Sequence, residues 1–131
     1  MATIKRLNPS SRAVPTGYTN VVTAEGKRLI FIAGQTGGAG SDGQPLDFPT
    51  QVATMFENIK GCLEAAGASF SDLVKFTTFI VDFKPEDRQV LAEVRSRYIK
   101  DNQWPTNALI GVQALATPAL KIEIEAIAVV D

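Results

Sequence analysis

The segment with the clearest potential for chemistry lies near the end of the chain, where two carboxylates occupy alternate positions. In the run 120–130, the residues of one parity are apolar, and those of the other parity begin with three charged side chains, Lys121, Glu123 and Glu125. A strand directs alternate side chains to opposite faces, so the first half of this run predicts one apolar face and one charged face. The second half is apolar on both parities, as in a strand enclosed from above and below. A carboxylate at the rim of a buried strand can serve as a general acid or base.

The absence of histidine narrows the chemistry that this chain can perform. Ser-His-Asp and Cys-His nucleophiles, histidine proton shuttles and the common zinc sites are excluded. A single cysteine, Cys62, leaves neither a disulfide framework nor a cysteine cluster for a metal, and we expect it to be a small buried hydrophobe on a helix. Catalysis must therefore come from Glu, Asp, Lys, Tyr, Arg or backbone amides, and no metal site is predicted.

Length and composition indicate one domain, residues 1–131. The 13 basic and 14 acidic residues give a net charge of −1 without any basic run, so we expect no membrane partner, and nucleic acid is an improbable one. The first residues lack the apolar core of a signal peptide, and glycine, proline or charge interrupts every apolar run. Together with one cysteine, these features favour a cytoplasmic location.

Hydrophobic periodicity predicts the element order βββαβαββ. One helix is predicted from Thr50 to Ala66, with Gly67 as its stop, and a second from about Pro85 to about Lys100. The strands are predicted over residues 3–7, 18–23, 28–33, 73–81, 108–112 and 120–130, with a hairpin turn at 24–27. This pattern is typical of an α+β sandwich of one sheet and two helices.

The predicted sheet has more apolar surface than two helices can cover. Residues 73–81 carry apolar side chains on both parities, with Phe76 and Ile80 on one face and Phe79 and Val81 on the other. Two helices cover one face of such a sheet, so we expect the second face to meet another copy of the chain in a homo-oligomer.

A glycine-rich loop, residues 38–43, formally matches the G-x-G-x-x-G pattern after a strand. A dinucleotide site requires a helix that opens within the motif, and residues 44–49 intervene here before the helix. There is also no Walker-type Lys-Ser/Thr pair. We interpret the loop as a mobile turn rather than a nucleotide site.

Five short motifs occur in a recognisable order along the chain. They are residues 32–35 after the predicted hairpin, 58–60 and 63–67 on and after the first helix, 72–82, and 121–128. This order resembles the RidA/YjgF family, and the likeness runs from about Tyr18 to Val130.

The resemblance implies a chorismate-mutase-like fold and a homotrimer whose inter-subunit clefts bind small, often carboxylate-bearing molecules. The family's best-studied members hydrolyse reactive enamines and imines, such as 2-aminoacrylate, to keto acids and ammonia without a cofactor. Some members were named endoribonucleases. The resemblance therefore implies a cofactor-independent deaminase, a hydrolase of C–N bonds.

Residue by residue, the resemblance matches only part of the family's site. The matching positions are Tyr18, Gly34, Gln35 and Glu123, with Glu123 as the catalytic carboxylate that activates water. The serine that the family has before Gly-Gln is Ala33 here. The resemblance thus implies a substrate-binding set of Tyr18, Ala33, Gly34, Gln35, Asn107 and Ala108.

The family's Pro-Ala-Arg-Ser segment departs most from the pattern, because residues 105–108 read Pro-Thr-Asn-Ala. The signature arginine, which pairs with the substrate carboxylate, is Asn107, and neutral asparagine cannot reproduce that bidentate contact. An asparagine of the second helix is replaced by Ala92. Arg95, one turn later, is a candidate replacement for the clamp.

The other charged and aromatic residues have plainer interpretations. Arg88, Arg95 and Arg97 of the second helix most simply form a solvated face. Glu125 is interpreted as structural or as a salt-bridge partner. Trp104 is either an interface plug or a pocket wall.

Three functions remain open from the sequence. The first is a hydrolase or deaminase of a small enamine, imine or related metabolite that differs from a standard 2-aminoacrylate deaminase. The second is a trimeric ligand-binding or chaperone-like protein without catalysis. The third is an endoribonuclease, which ranks last because the chain has no histidine and no basic groove.

Overall fold

The computed structural model describes residues 2–131, and its elements follow the predicted order. The helices are α1 (Phe48–Ala65) and α2 (Asp87–Arg95). The strands are β1 (Thr3–Leu7), β2 (Val21–Glu25), β3 (Arg28–Thr36), β4 (Leu73–Val81), β5 (Thr106–Val112) and β6 (Ile122–Val130).

A four-stranded sheet in the order β3-β6-β4-β5 carries both helices on one face. Strand β6 lies inside the sheet and pairs antiparallel with β3 and with β4. Strands β4 and β5 are parallel, and the connection between them contains α2, as parallel pairing requires. The α+β class with two helices on a sheet is confirmed.

The predicted hairpin between the second and third strands is wrong. The prediction that all strands form one sheet is therefore wrong too, because the structure has two sheets. Strand β2 pairs with β1 in a separate two-stranded sheet, while β3 pairs with β6. Gly26 lies between β2 and β3 against the end of β6, where an added Cβ would be 2.8 Å from the carbonyl oxygen of Val130. The chain therefore crosses the end of β6 at this glycine. The nine residues of β3 then pair with β6 and not with β2.

Helix α1 begins two residues earlier than predicted because Asp47 caps it. The Asp47 carboxylate accepts a hydrogen bond from the Thr50 amide at 2.8 Å, which satisfies a free donor of the first turn. The helix ends as predicted, with Gly67 at φ +74°. Helix α2 is shorter than the predicted 85–100, because the chain turns after Arg95.

The main core lies between the helices and the sheet. Helix α1 contributes a stripe of buried side chains at helical spacing: Val52, Met55, Phe56, Ile59 and Leu63. The sheet contributes residues of one parity from β4 and β6: Phe76, Ile80, Ile122, Ile124 and Ala126. The predicted alternation of the last strand is thus confirmed. Cys62 is a free, half-buried thiol that packs against this core.

The opposite side of the four-stranded sheet, here called the open face, has no helix on it. It carries Phe79 and Glu123, which are direct cross-strand partners, together with Glu125. Two large apolar side chains on this side, Leu29 and Phe31, are 63% and 72% exposed in the single chain. The structure thus confirms that the two helices leave one face of the sheet uncovered.

The glycine-rich loop closes on itself before α1 begins. The amide of Gly40 donates to the carbonyl of Gln44, and that of Gly43 donates to Gly40, both at 2.9 Å. No helix opens within the motif, because α1 starts only at Phe48. Within residues 2–131, no helix is long and apolar enough to cross a membrane.

Candidate functional site

Glu123 lies on the open face with its carboxyl group against the backbone of Gly34. A Cβ added at Gly34 would be 2.8 Å from Glu123 Oε1, closer than real Cβ atoms approach. The φ angle of Gly34 is not positive, so the backbone conformation would accept a side chain there, but an added Cβ would force the Glu123 side chain to move. The sequence match between these two positions therefore corresponds to a direct contact.

A β-bulge shapes the strand beside this carboxylate. The register of β3 against β6 shifts between Ile32 and Gln35, so that Ala33 and Gly34 form the irregular part of the strand. Bulges change the direction of a strand and recur next to active sites. The side-chain amide of Gln35 donates to the carbonyl of Ala33 at 3.1 Å, and this hydrogen bond within β3 stabilises the bulge.

The open face also contains a cavity of about 380 Å³ beside the bulge. It is lined by Ala33, Lys75, Thr77 and Glu125 among others. Glu125 has no ion pair with any residue from 2 to 131, so the salt bridge offered for it is not formed within the chain. Ala108 lies on this face too, beside Thr77 in the β4–β5 register.

Lys121 does not share the open face with the two carboxylates, contrary to the strand pattern. It precedes the first residue of β6, and its ammonium group lies 4.0 Å from the carboxylate of Asp87 and 5.3 Å from the ring centre of Phe48. Its backbone amide donates to the buried side chain of Gln51 at 2.9 Å. Alternation holds only within the hydrogen-bonded strand, and Lys121 lies outside it.

A second cavity, of about 510 Å³, opens on the other side of the sheet between α2 and β5. We call it the helix-side cavity. Its lining comprises Thr16, Gly17, Tyr18, Arg88, Leu91, Ala92, Arg95, Asn107 and Leu109. It thus brings together Tyr18 and Asn107, two of the residues implied by the family resemblance, with Ala92 and Arg95 of the second helix.

Tyr18 reaches this cavity from a loop and not from a strand, because β2 begins only at Val21. Its neighbour Thr19 fixes the loop to the segment before β5. The amide of Thr19 donates to the carbonyl of Pro105 at 3.0 Å, and its hydroxyl donates to that of Trp104 at 2.6 Å. The side chain of Tyr18 is 40% exposed at the mouth of the cavity.

Asn107, at the position where the family resemblance implies an arginine, is oriented by a buried threonine. Its side-chain oxygen accepts a hydrogen bond from the hydroxyl of Thr78 at 2.8 Å. Thr78 is 1% exposed and belongs to the helix-side parity of β4. The amide NH₂ of Asn107 is then the group left to face the cavity, and it is a donor.

Arg95 is not part of a solvated face, and that expectation is wrong. Its guanidinium carbon lies 5.0 Å from the ring centre of Trp104, and its Nε is buried. Burial lowers the pKa of Arg95 from its ordinary value. Arg88 of α2 and Arg97, just beyond its end, are exposed, as expected for a solvated face. Trp104 supports the wall of the cavity through this stacking contact.

The sheet separates the site residues of one chain into two groups. Glu123, Gly34 and Ala108 are on the open face, whereas Tyr18 and Asn107 line the helix-side cavity. The first group offers a carboxylate that can accept and return a proton. The second offers hydrogen-bond donors and a guanidinium. Within residues 2–131, no group of three or more His, Cys, Asp or Glu is arranged to hold a metal ion.

Comparison with known proteins identifies related chains that match over most of their length. Residues 9–130 match the family model described as endoribonuclease L-PSP. A RutC family protein of Aquifex aeolicus is 33% identical over 129 residues, 96% of this chain and 99% of that protein. The human 2-iminobutanoate/2-iminopropanoate deaminase is 34% identical over 114 residues, 86% of this chain and 79% of that protein.

A solved structure extends the likeness to the fold. The Rid family protein YyfB of Yersinia pestis superimposes with a TM-score of 0.85 and 31% identity, covering 97% of this chain and 98% of its own. The chain therefore belongs to the endoribonuclease L-PSP family, the YjgF/RidA family, which includes named deaminases of reactive intermediates.

Proposed function

We propose that the protein is a cofactor-independent hydrolase that deaminates a small enamine or imine, with Glu123 as its general base. The main observation behind the proposal is that the Glu123 carboxyl group packs against Gly34, where the absence of a side chain leaves space for a carboxylate. The human relative is named for the deamination of 2-imino acids, which supports the reaction class.

The proposed chemistry needs only one group that takes and returns a proton. An enamine tautomerises to an imine, and water then adds to the imine carbon while Glu123 accepts the water proton. The same carboxyl group returns that proton to the nitrogen, which gives a carbinolamine. The carboxylate then takes the proton of the new hydroxyl group and passes it to the nitrogen as the C–N bond breaks, and the products are a carbonyl compound and ammonia. With no histidine in the chain, a carboxylate is the natural group for both steps.

We propose that a neighbouring subunit completes the cleft, within a homotrimer. This is supported by the division of the site, since the donors of the helix-side cavity and Glu123 lie on opposite sides of the sheet. It is also supported by Phe31 and Leu29, which are largely exposed apolar side chains on the open face. Burial of such a surface against a second copy is strongly favourable.

The substrate should differ from 2-aminoacrylate. The strand position from which the family's arginine holds the substrate carboxylate is Asn107, whose oxygen is already engaged by Thr78. An asparagine amide supplies neither the charge nor the paired donors of a guanidinium. The single free cysteine, Cys62, fits a reducing compartment, and the proposal includes a cytoplasmic location.

The neutral residue at position 107 also favours a second candidate, a ligand-binding protein that no longer catalyses. An endoribonuclease, the activity in the family's name, ranks below both. RNA binding relies on clustered Lys and Arg and on stacked aromatic side chains along a groove, and the net charge of this chain is −1.

Ammonia release from a panel of freshly generated enamines and imines separates the first two candidates. The panel should vary the length of the carbon chain and the presence of a carboxylate, with Glu123→Ala as the matched inactive protein. Turnover of at least one compound above the Glu123→Ala rate supports the hydrolase. Saturable binding of a compound with no turnover above that rate supports the binding protein and rejects the hydrolase.

A further inference from the structure

Among residues 2–131, the guanidinium of Arg95 stacks on Trp104 but has neither an acidic nor a hydrogen-bonding partner. Its Nε is buried with no hydrogen bond, and none of its nitrogens forms an ion pair or hydrogen bond within residues 2–131. Transfer of a charge away from water is costly unless an opposite charge or a set of acceptors compensates it. Desolvation lowers the pKa of Arg95, although an arginine remains charged at any physiological pH.

The structure holds this guanidinium in one place. One side of Arg95 stacks on Trp104 at 5.0 Å, and another lies against Gly17, where an added Cβ would collide with the guanidinium. Gly17 also has φ +87°, a conformation that side chains disfavour. A guanidinium fixed by stacking loses little freedom when it binds a ligand.

The helix-side cavity around Arg95 offers donors and apolar surface but no acid. None of the lining residues in the described part of the chain is an aspartate or glutamate. Asn107 presents its NH₂ group, because Thr78 occupies its oxygen, and Tyr18 contributes a hydroxyl at the mouth. Leu91 and Leu109 supply the apolar part of the wall. A ligand that fits this lining has acceptor oxygens at one end and a short hydrocarbon body.

We infer that the helix-side cavity binds the carboxylate of a small organic acid through Arg95 of α2, with Asn107 as a secondary donor. The inference rests on the proposed function, because it names the substrate class as carboxylate-bearing. In this inference the anion-binding arginine lies on α2, at position 95, and not on β5, where the family resemblance implies an arginine at position 107. Arg95 then determines specificity, while Glu123 performs the chemistry.

Two other arginines, one in α2 and one just after it, provide the comparison. Arg88 lies at the cavity edge but is exposed, 5.9 Å from the ring centre of Phe83. Arg97 is exposed, lies outside the lining and is 3.4 Å from the carboxylate of Glu93. Arg97→Gln therefore removes the same charge two residues after Arg95, just beyond the end of α2, without touching the cavity.

The test uses butanoate as the probe and butanamide as its neutral analogue, at constant ionic strength. Trp104 is the only tryptophan of the chain, so its fluorescence reports directly on the guanidinium stacked against it. We expect butanoate to produce a saturable change and butanamide to bind at least about tenfold more weakly, because the charge-assisted pair is lost. Arg95→Gln should weaken butanoate binding by about tenfold or more, Arg95→Lys by less, and Arg97→Gln not at all.

The titration of the wild-type protein decides the matter even where Arg95→Gln fails to fold. Equal affinity for butanoate and butanamide, or no saturable change with either, would overturn the inference. So would unchanged butanoate binding in folded Arg95→Gln. Because the titration needs no turnover, Arg95-dependent binding without any deaminase activity would reject the proposed function alone. Deamination with Arg95-independent binding would reject this inference alone.

Discussion

The carboxyl group of Glu123 packs against the bare backbone of Gly34 on the open face of the sheet, across a β-bulge. Neither residue alone is informative, since an exposed strand glutamate and a strand glycine both have ordinary explanations. The contact between them explains both residue types at once. The glycine makes room for the carboxylate, and the bulge directs the strand around it.

The first prediction is that Gly34→Ala lowers catalysis without unfolding the protein. The new Cβ would lie 2.8 Å from Glu123 Oε1, so the carboxyl group must move. A misplacement of about 1 Å costs a catalytic group about 100-fold in rate. We expect such a loss in kcat, with the free energy of unfolding changed by less than about 1 kcal/mol. Gly61→Ala, where an added Cβ meets nothing within 4 Å, is the control and should keep the wild-type rate.

The second prediction concerns assembly through the open face. The wild-type protein should sediment at three times the chain mass of 14.1 kDa, and Phe31→Glu should shift it towards the monomer, since a buried unpaired carboxylate is costly. Phe31 is 72% exposed in the single chain. Val14→Glu, at a loop position with 74% exposure, should remain a trimer. A wild-type mass near that of one chain across micromolar concentrations would refute the assembly.

The third prediction concerns Asn107. Wild-type protein should turn over 2-aminoacrylate poorly, because its guanidinium comes from α2 and would hold a three-carbon acid differently relative to Glu123. Asn107→Arg should raise kcat/KM for this substrate by about tenfold, the value of one charge-assisted hydrogen bond. Asn107→Lys, which adds charge without the planar fork, should gain less. Efficient wild-type turnover of 2-aminoacrylate would contradict the argument.

The fourth prediction concerns stability at high pH. Burial, followed by the hydrogen bond that Tyr98 donates to Glu57 at 2.6 Å, raises the pKa of Tyr98 to about 12. An unfolded tyrosine has a pKa of about 10, so the unfolded state releases this proton first. The stabilisation is complete below pH 10 and is lost as the pH rises from 10 to 12.

Denaturant unfolding of wild type and Tyr98→Phe across this range isolates the contribution. The difference in unfolding free energy between the two proteins should be constant below pH 10 and should shift against the wild type above it. A difference that stays constant to pH 12 would show that Tyr98 is not responsible.

The sequence predicted the parts of the fold that depend on local periodicity. Alternation placed Ile122 and Ile124 in the core and Glu123 on the other face, and helical spacing placed α1 to within two residues at its start. These patterns record directly which side of an element is buried. The uncovered sheet face followed from the same reasoning, because β4 is apolar on both parities.

Contacts between residues that are distant along the chain could not be predicted from these local patterns. The pairing of β2 with β1 instead of β3 depends on where the chain crosses β6, and only Gly26 marks that crossing in the sequence. The burial of Arg95 depends on Trp104 and Gly17, which are distant along the chain. The only sequence signal for this contact was Gly17, next to the matched Tyr18. Glycines occur in loops for many reasons, so Gly17 alone does not predict that an arginine packs against it.

The most direct test of the central claim is the rate of Glu123→Gln on a compound that the wild-type protein hydrolyses. Glutamine keeps the shape and hydrogen-bonding capacity of the side chain but cannot take a proton from water. We predict unchanged sedimentation and thermal unfolding, and a kcat at least about 100-fold lower in ammonia release. Turnover at the wild-type rate by folded Glu123→Gln would contradict the assignment of Glu123 as the general base.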